Sequence, residues 1–327
     1  MIPEKVKEVL RKQHYGLVGK HSAVQICRWT KKSLREEGVC YKEKFYGIKS
    51  HLCCQMTPAV MWCPNKCLHC WRAIEMTIGD ELKGKVDSPK EIIDGCIKEQ
   101  RRLLQGFNIS EKSKKKQLSR ANQKKYSEAQ EPMQFAISLS GEPMVYKHIG
   151  GIIEELRKRG KTSFLVTNGL YPEKIKELEE KKQLPTQLYI SVNTPNKELY
   201  EKFHRSSKKD AWERLNKSLE IMSNLRKKTR TVFRMNLVKD LNMITPEIYA
   251  EMIRKANPMF VEVKGVMSVG FARQRIPYEK MPYHKDIVNF SKKILKFLPG
   301  YKILAEKKES RVLLLGKDKE EMKIREI

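Results

Sequence analysis

No apolar run in the 327 residues approaches the roughly 18 consecutive apolar positions that a membrane helix needs, so a spanning protein is not expected. The opening residues Met1, Ile2, Pro3, Glu4, Lys5 and Val6 carry no apolar secretion segment, and the expected compartment is the cytoplasm. Acidic residues are scarce: 39 Asp and Glu stand against 67 Lys and Arg, a formal net charge of +28. A surface that only keeps a chain in solution, or one adapted to heat, would balance its signs. This excess points instead to a polyanionic partner, nucleic acid first. Disulfides are not expected, because in a reducing compartment the eight cysteines are better used as metal ligands. With 40% hydrophobic and 32% charged residues, the chain can bury one large α/β core or two small domains.

Cys63, Cys67 and Cys70 are spaced C-x3-C-x2-C. Three thiolates in so short a run can hold one iron–sulfur cube and leave one iron without a protein ligand; a fourth cysteine is the usual complement. Zinc is the alternative, but its sites favour C-x2-C pairs completed by a second pair or by histidines.

The stretch Met61-Trp62-Cys63-Pro64-Asn65-Lys66-Cys67-Leu68-His69-Cys70-Trp71-Arg72 resembles the cluster loop of the radical S-adenosylmethionine (SAM) enzymes. The resemblance implies a [4Fe–4S] cluster whose open iron is chelated by SAM, and a SAM-derived radical that abstracts hydrogen. The protein then binds, orients and excludes side reactions. The family's usual aromatic residue before the last cysteine, near the adenine, is His69 here.

Downstream, apolar periodicity predicts strands over 57–62, 135–139, 163–166, 187–192, 231–237 and 260–263. Between them helices are predicted over 89–104, 149–156, 172–181, 208–226 and 246–256. Six strands alternating with helices imply a parallel sheet with ligands at the carboxyl ends of its strands. Periodicity does not separate a full barrel from a doubly wound sheet; the partial (β/α)6 barrel is what the resemblance adds. Ser140, Gly141 and Glu142 close the second strand and look like the family's Gly-Gly-Glu segment for the SAM amino group, with Ser140 in place of the first glycine. Asn168, then Ser191 and Asn193, end the third and fourth strands, where the ribose and methionyl groups would bind; Arg234 and Asn236 lie on the fifth. Taken singly, each is also an ordinary polar turn or cap residue.

Cys27, Cys40 and Cys53 recur as C-x12-C-x12-C. They can converge if a helix over 22–37 folds back on 41–50, making a second three-cysteine site; the alternative is three unrelated buried thiols. Cys54 and Cys96 match neither set and are expected in the core. The double triad, with the segments 40–48, 66–72, 137–143 and 187–191 and the tail 310–315, resembles the wybutosine-pathway branch of the radical SAM enzymes, in its archaeal form without a flavodoxin-like domain.

That resemblance implies condensation of pyruvate with N1-methylguanosine beside the anticodon of phenylalanine tRNA, giving 4-demethylwyosine with loss of the pyruvate carboxyl carbon. It implies two [4Fe–4S] clusters and an external electron donor such as a flavodoxin or ferredoxin. A lysine near the second triad would form a Schiff base with the ketone: Lys42 first and Lys44 second, against the alternative of solvated surface lysines. The run 110–125, with Lys112, Lys114, Lys115, Lys116, Arg120, Lys124 and Lys125, reads as a basic insertion for phosphates, joined by Arg28, Lys31, Lys32 and Arg35. Trp29, Trp62, Trp71 or Tyr46 would stack on the target base.

The expected organisation is an N-terminal cysteine-bearing helical extension over 1–54, a core over 55–300 with the insertion near 108–130, and a short C-terminal strand extension over 301–327. A radical SAM enzyme acting on another RNA or a small metabolite would leave the second triad unexplained. A noncatalytic zinc-containing RNA-binding protein would leave the polar strand ends unexplained.

Overall fold

Ser88 and Glu91 start the helix Pro89–Leu104 with a capping box. The Ser88 hydroxyl accepts the Glu91 N–H at 3.3 Å, the Glu91 carboxylate accepts the Ser88 N–H at 2.7 Å, and Pro89 takes the first turn, where no N–H is needed. Ile92, Ile93, Cys96, Ile97 and Leu104 form its buried face. Gly95 lets the Val18 side chain come so close that a Cβ there would collide with it. The computed structural model describes residues 1–108 and 121–324, so the expected insertion residues Lys112, Lys114, Lys115, Lys116 and Arg120 lie outside the described residues.

The described chain divides into two compact units. The first comprises Met1–Val60, Leu82–Leu165 and the chain from Lys323. Strands β1 (Gly16–Val18) and β2 (Ser22–Gln25) pair antiparallel, with Leu17 opposite Ala23; β2 pairs antiparallel with β3 (Cys53–Thr57), Val24 opposite Met56. From β3 onward the pairing is parallel, to β4 (Gln134–Ile137) and then to β5 (Thr162–Thr167), with Cys54 beside Phe135 and Ala136 beside Phe164. Cys54 and Cys96 are fully buried, as expected of core thiols.

Two expectations for this region are corrected. The helix predicted over 22–37 is β2 followed by a shorter helix, Arg28–Leu34; Ser22, Ala23 and Val24 are all buried, a pattern that suits a strand covered on both faces better than a helical stripe. The strand predicted over 57–62 lies earlier, at Cys53–Thr57, so Cys53 opens the strand and Trp62 lies beyond its end. The N-terminal extension is therefore part of the sheet and not helical alone.

The second unit comprises Met61–Glu81 and Val166–Met322. Strands β6 (Gln187–Ser191), β7 (Arg230–Leu237) and β8 (Phe260–Gly265) run parallel. A C-terminal pair completes this side: β10 (Val312–Gly316), buried throughout, lies antiparallel to β8, and β9 (Lys302–Lys307) lies antiparallel to β10. Lys302, Glu306 and Lys307 put charge on β9, which suits an edge strand. The helix predicted over 208–226 is Ala211–Leu225, preceded by a separate helix Lys197–His204. A further helix, His284–Leu295, also escaped the periodicity. No helix among the described residues is long and apolar enough to cross a membrane.

Candidate active site

The loop from Cys63 to Cys70 is held by its backbone. The Cys63 N–H donates to Gly79 O at 2.8 Å, the Ile78 N–H to Met61 O at 3.0 Å and the Cys70 N–H to Cys67 O at 3.1 Å. The C-terminal turn of the helix Lys197–His204 grips the middle of the loop: its last carbonyls, which have no partner within the helix, accept the Lys66 N–H (His204 O, 2.9 Å) and the Leu68 N–H (Phe203 O, 2.9 Å). Arg205 Nε donates to Lys66 O at 3.1 Å, and the Ser207 N–H to Pro64 O at 2.8 Å. Two arginines complete the frame. Arg72, 3% exposed, donates to Asn65 O at 2.7 Å and to the Thr77 hydroxyl at 3.0 Å. Arg275 donates to Leu68 O and Arg72 O, both at 3.2 Å, and also to Cys70 O.

The loop is electrostatically unsettled as free cysteines. Burial, then the neighbouring Cys63 and Cys70, push the Cys67 thiol well above its usual range. Burial alone would lower the Arg72 pKa, but Cys63, Cys70 and Cys67 more than offset it. A metal centre takes the three sulfurs as thiolates and is the partner such a set suits. Among the described residues no three His, Cys, Asp or Glu side chains converge tightly enough to hold one ion, and the irons of a cube take their thiolates one each rather than sharing a centre. His69 stacks on Phe203 with centroids 5.1 Å apart, and its buried Nδ1 has no hydrogen-bond partner. Burial, then Arg234 and Arg275, lower its pKa to about 4, so the ring is neutral at pH 7. Arg275 was not legible in the sequence, since it lies about 200 positions from the loop. Arg275→Ala is expected to lower the iron retained by the loop, and lysine is not expected to restore it, because one ammonium cannot reproduce the planar fork. Iron per chain after gel filtration, beside the melting temperature, checks this.

In the same unit, Asn168 Oδ1 accepts the Leu170 N–H at 3.0 Å and so shapes the turn after β5. Ser191 ends β6, half-buried. Asn193 is buried, and its Oδ1 accepts the Asn236 N–H at 2.9 Å while its carbonyl accepts Asn242 Nδ2 at 2.7 Å and the Tyr249 hydroxyl at 3.0 Å. Arg234 lies 3.9 Å from the fully buried Glu262 carboxylate and over the Tyr189 ring.

In the first unit, Gly141 has φ +97°, a conformation that favours glycine. The buried Glu142 accepts the Met144 N–H at 3.1 Å. Ser140 shares a 2.6 Å hydrogen bond with the Tyr15 hydroxyl, which gives the serine at this position a partner.

The second cysteine set lies in this unit. Cys27 precedes the helix Arg28–Leu34, Cys40 precedes the helix Tyr41–Tyr46, and Cys53 opens β3. Burial pushes the Cys53 thiol up to about 12; Cys27 and Cys40 add to the rise and Lys42 opposes it, so all four groups share one neighbourhood. Ser50 ties the segments together. Its hydroxyl accepts the Cys40 N–H at 2.8 Å and donates to Glu43 at 2.6 Å, and its carbonyl accepts the Thr30 hydroxyl at 3.0 Å. Ser50→Ala leaves the Cys40 N–H and the Glu43 carboxylate without this partner, an expected loss of about 1–3 kcal/mol, read as a lower melting temperature.

The two candidate lysines separate clearly. Lys42 is 7% exposed, with Nζ 4.6 Å from the centre of the Phe164 ring, whereas Lys44 is exposed. Of the four candidate stacking aromatics, Tyr46 and Trp62 are buried in the core, while Trp29 and Trp71 are partly exposed. Arg28 and Arg35 are exposed and Lys31 and Lys32 half-buried on the face of their helix opposite the buried Thr30, Ser33 and Leu34.

Parallel strands carrying polar residues at their ends and a framed three-cysteine loop define a radical SAM enzyme. Residues 58–253 match the Radical SAM superfamily, and residues 255–317 match the family described as Wyosine base formation. The S-adenosyl-L-methionine-dependent tRNA 4-demethylwyosine synthase of Pyrococcus abyssi is 48% identical over 317 residues, covering 97% of this chain and 90% of that one. The mouse enzyme of that name, TYW1, is 38% identical over 98% of this chain, which spans 42% of it. The structure of TYW1 with a lysine-pyruvate adduct bound superposes with a TM-score of 0.84 at 34% identity, covering 99% of this chain and 98% of that one. The crystal structure of archaeal TYW1 gives 0.76 at 32% identity over 99% of both chains. The chain belongs to the tRNA 4-demethylwyosine synthase family, with the α/β radical SAM fold, a partial (β/α)6 barrel, and the family's dependence on SAM and a [4Fe–4S] cluster.

Proposed function

We propose that this chain condenses pyruvate with N1-methylguanosine beside the anticodon of phenylalanine tRNA, a radical SAM carbon–carbon lyase forming 4-demethylwyosine in the cytoplasm with loss of the pyruvate carboxyl carbon. The observation that carries this reading is Lys42, a buried lysine beside a second three-cysteine set. It stands in a chain 34% identical to a TYW1 whose structure holds a lysine-pyruvate adduct.

Cys63, Cys67 and Cys70 would hold one [4Fe–4S] cluster, and Cys27, Cys40 and Cys53 a second, each leaving one iron without a protein ligand. When bound and reduced, the first cluster with SAM supplies the hydrogen-abstracting radical, and the electron comes from a separate redox protein of the flavodoxin or ferredoxin class. Glu142, in the turn at Gly141, would accept the SAM ammonium. Asn168, Ser191, Asn193 and Arg234 would meet the ribose and methionyl groups, and His69 the adenine.

The Lys42 amine would attack the pyruvate ketone carbon, and the ketone oxygen would leave as water. Held in this way, carbon 2 of the substrate would take the new bond from the guanine methyl carbon as its bond to the carboxyl carbon breaks, the carboxyl group leaving with the unpaired electron, and the guanine amino group would then displace Lys42 and close the ring. Burial is the condition under which a lysine amine serves as a nucleophile, and Lys42 meets it where Lys44 does not. Arg28, Lys31, Lys32 and Arg35 would contact phosphates without choosing sequence.

Pyruvate labelled separately at each carbon, incubated with reduced enzyme, SAM and N1-methylguanosine-containing tRNA, tests the reading. Carbons 2 and 3 are expected in the modified base and carbon 1 is not. A chain that cleaves SAM yet leaves the base unaltered would instead act on another RNA or a small metabolite.

A further inference from the structure

The imidazole of His204 touches the sulfur of Cys67, Nδ1 to Sγ 3.0 Å, across 137 positions of sequence. His204 is 3% exposed. Hydrogen bonds to the sulfurs are one of the levers on a cluster's reduction potential. The N–H groups of Cys63, Lys66, Leu68 and Cys70 all donate to carbonyls. Those of Lys66 and Leu68, on either side of Cys67, go to His204 O and Phe203 O, so the same helix end that occupies these amides presents the imidazole in their place.

A cysteine bound to iron carries no proton, so in the loaded loop the hydrogen between the two atoms belongs to Nδ1. That tautomer leaves Nε2 as a bare lone pair, and Nε2 is buried without a hydrogen-bond partner. The ring itself is fixed among aromatics, 4.5 Å from Tyr200, 5.2 Å from Phe203 and 6.2 Å from His69 between centroids.

We propose that His204 is a positioning residue whose Nδ1–H donates to the Cys67 sulfur, fixing that ligand and drawing charge from it, so that the cluster is easier to reduce. A donor aimed at one ligand acts on the potential through that sulfur. The inference rests on the assignment of a cluster to Cys63, Cys67 and Cys70.

The test is an EPR-monitored redox titration of the full chain with Cys27, Cys40 and Cys53 changed to alanine, so that a single cluster is read. His204→Leu removes the donor, and His204→Asn returns an amide nitrogen near the position of Nδ1. The midpoint potential is expected to move to a more negative value in His204→Leu and to recover most of the shift in His204→Asn; equal potentials in all three overturn the proposal. If His204→Leu does not keep its cluster, the unsubstituted chain labelled with 15N-histidine decides the matter. Its reduced form is expected to show a weak imidazole coupling in pulsed EPR that survives His69→Phe and disappears in His204→Asn, and absence of that coupling overturns the proposal. Iron analysis separates the two readings. About four irons per chain in the alanine background with no shift refutes the role of His204 alone, whereas a chain without iron refutes the cluster assignment and this proposal with it.

Discussion

Lys42→Ala is expected to reduce formation of the tricyclic base by on the order of 10³-fold or more, about 4 kcal/mol in transition-state free energy, while Lys44→Ala leaves it within about twofold. The two residues are two positions apart on one short helix, Tyr41–Tyr46, and differ in environment: Lys42 is packed over Phe164 beside Cys53, and Lys44 is in solvent. A lysine that only bound tRNA phosphates would behave in the opposite way, because an exposed ammonium serves that purpose best. Reductive trapping supplies a second readout. Cyanoborohydride with pyruvate is expected to leave a covalent adduct on the peptide containing Lys42 in the unsubstituted chain and none in Lys42→Ala. If Lys42→Ala keeps full product formation, the Schiff-base proposal is wrong even though the cysteine assignments stand. SAM cleavage, measured beside it as 5′-deoxyadenosine, is expected to persist in Lys42→Ala, since Lys42 is assigned to pyruvate and not to SAM.

The second large effect concerns the cysteines. Anaerobically prepared protein is expected to hold about eight irons and eight acid-labile sulfides per chain, and the triple variant Cys63→Ala, Cys67→Ala, Cys70→Ala about four. The triple variant at Cys27, Cys40 and Cys53 is also expected to hold about four, but the two differ in chemistry. The first loses SAM cleavage altogether; the second retains it and loses the tricyclic product. Four irons falling to none in the first variant would leave Cys27, Cys40 and Cys53 as structural thiols and remove the pyruvate site from the proposal. Their convergence beside Lys42 is the physical reason to expect otherwise: burial raises the Cys53 thiol, and two further thiols raise it again, an arrangement better suited to a metal than to three free cysteines.

The cluster loop was legible from the sequence because its three ligands lie within eight residues, where covalent geometry alone brings them near one another. Five of the six predicted strands were legible for a similar reason: each is a short apolar run, so Phe135, Tyr189 and Phe233 announce their strands locally. The segment around Ser22 was misplaced, because a short strand covered on both faces has no alternation to read and its pairing with β1 and β3 makes it a strand; the first strand was placed late, on the apolar run 57–62 that follows it.

What tertiary structure alone decided is which of several chemically identical residues is in which environment. Lys42 and Lys44 are equivalent on paper until Phe164, more than 100 positions away, covers one of them. Arg275 and His204 carry no local signal, and each reaches the cysteine loop only because the second unit folds its helix ends against that loop. Desolvation and hydrogen-bond geometry depend on neighbours brought in from far along the chain, so residue spacing can announce a cofactor while the packed structure determines which side chains serve it.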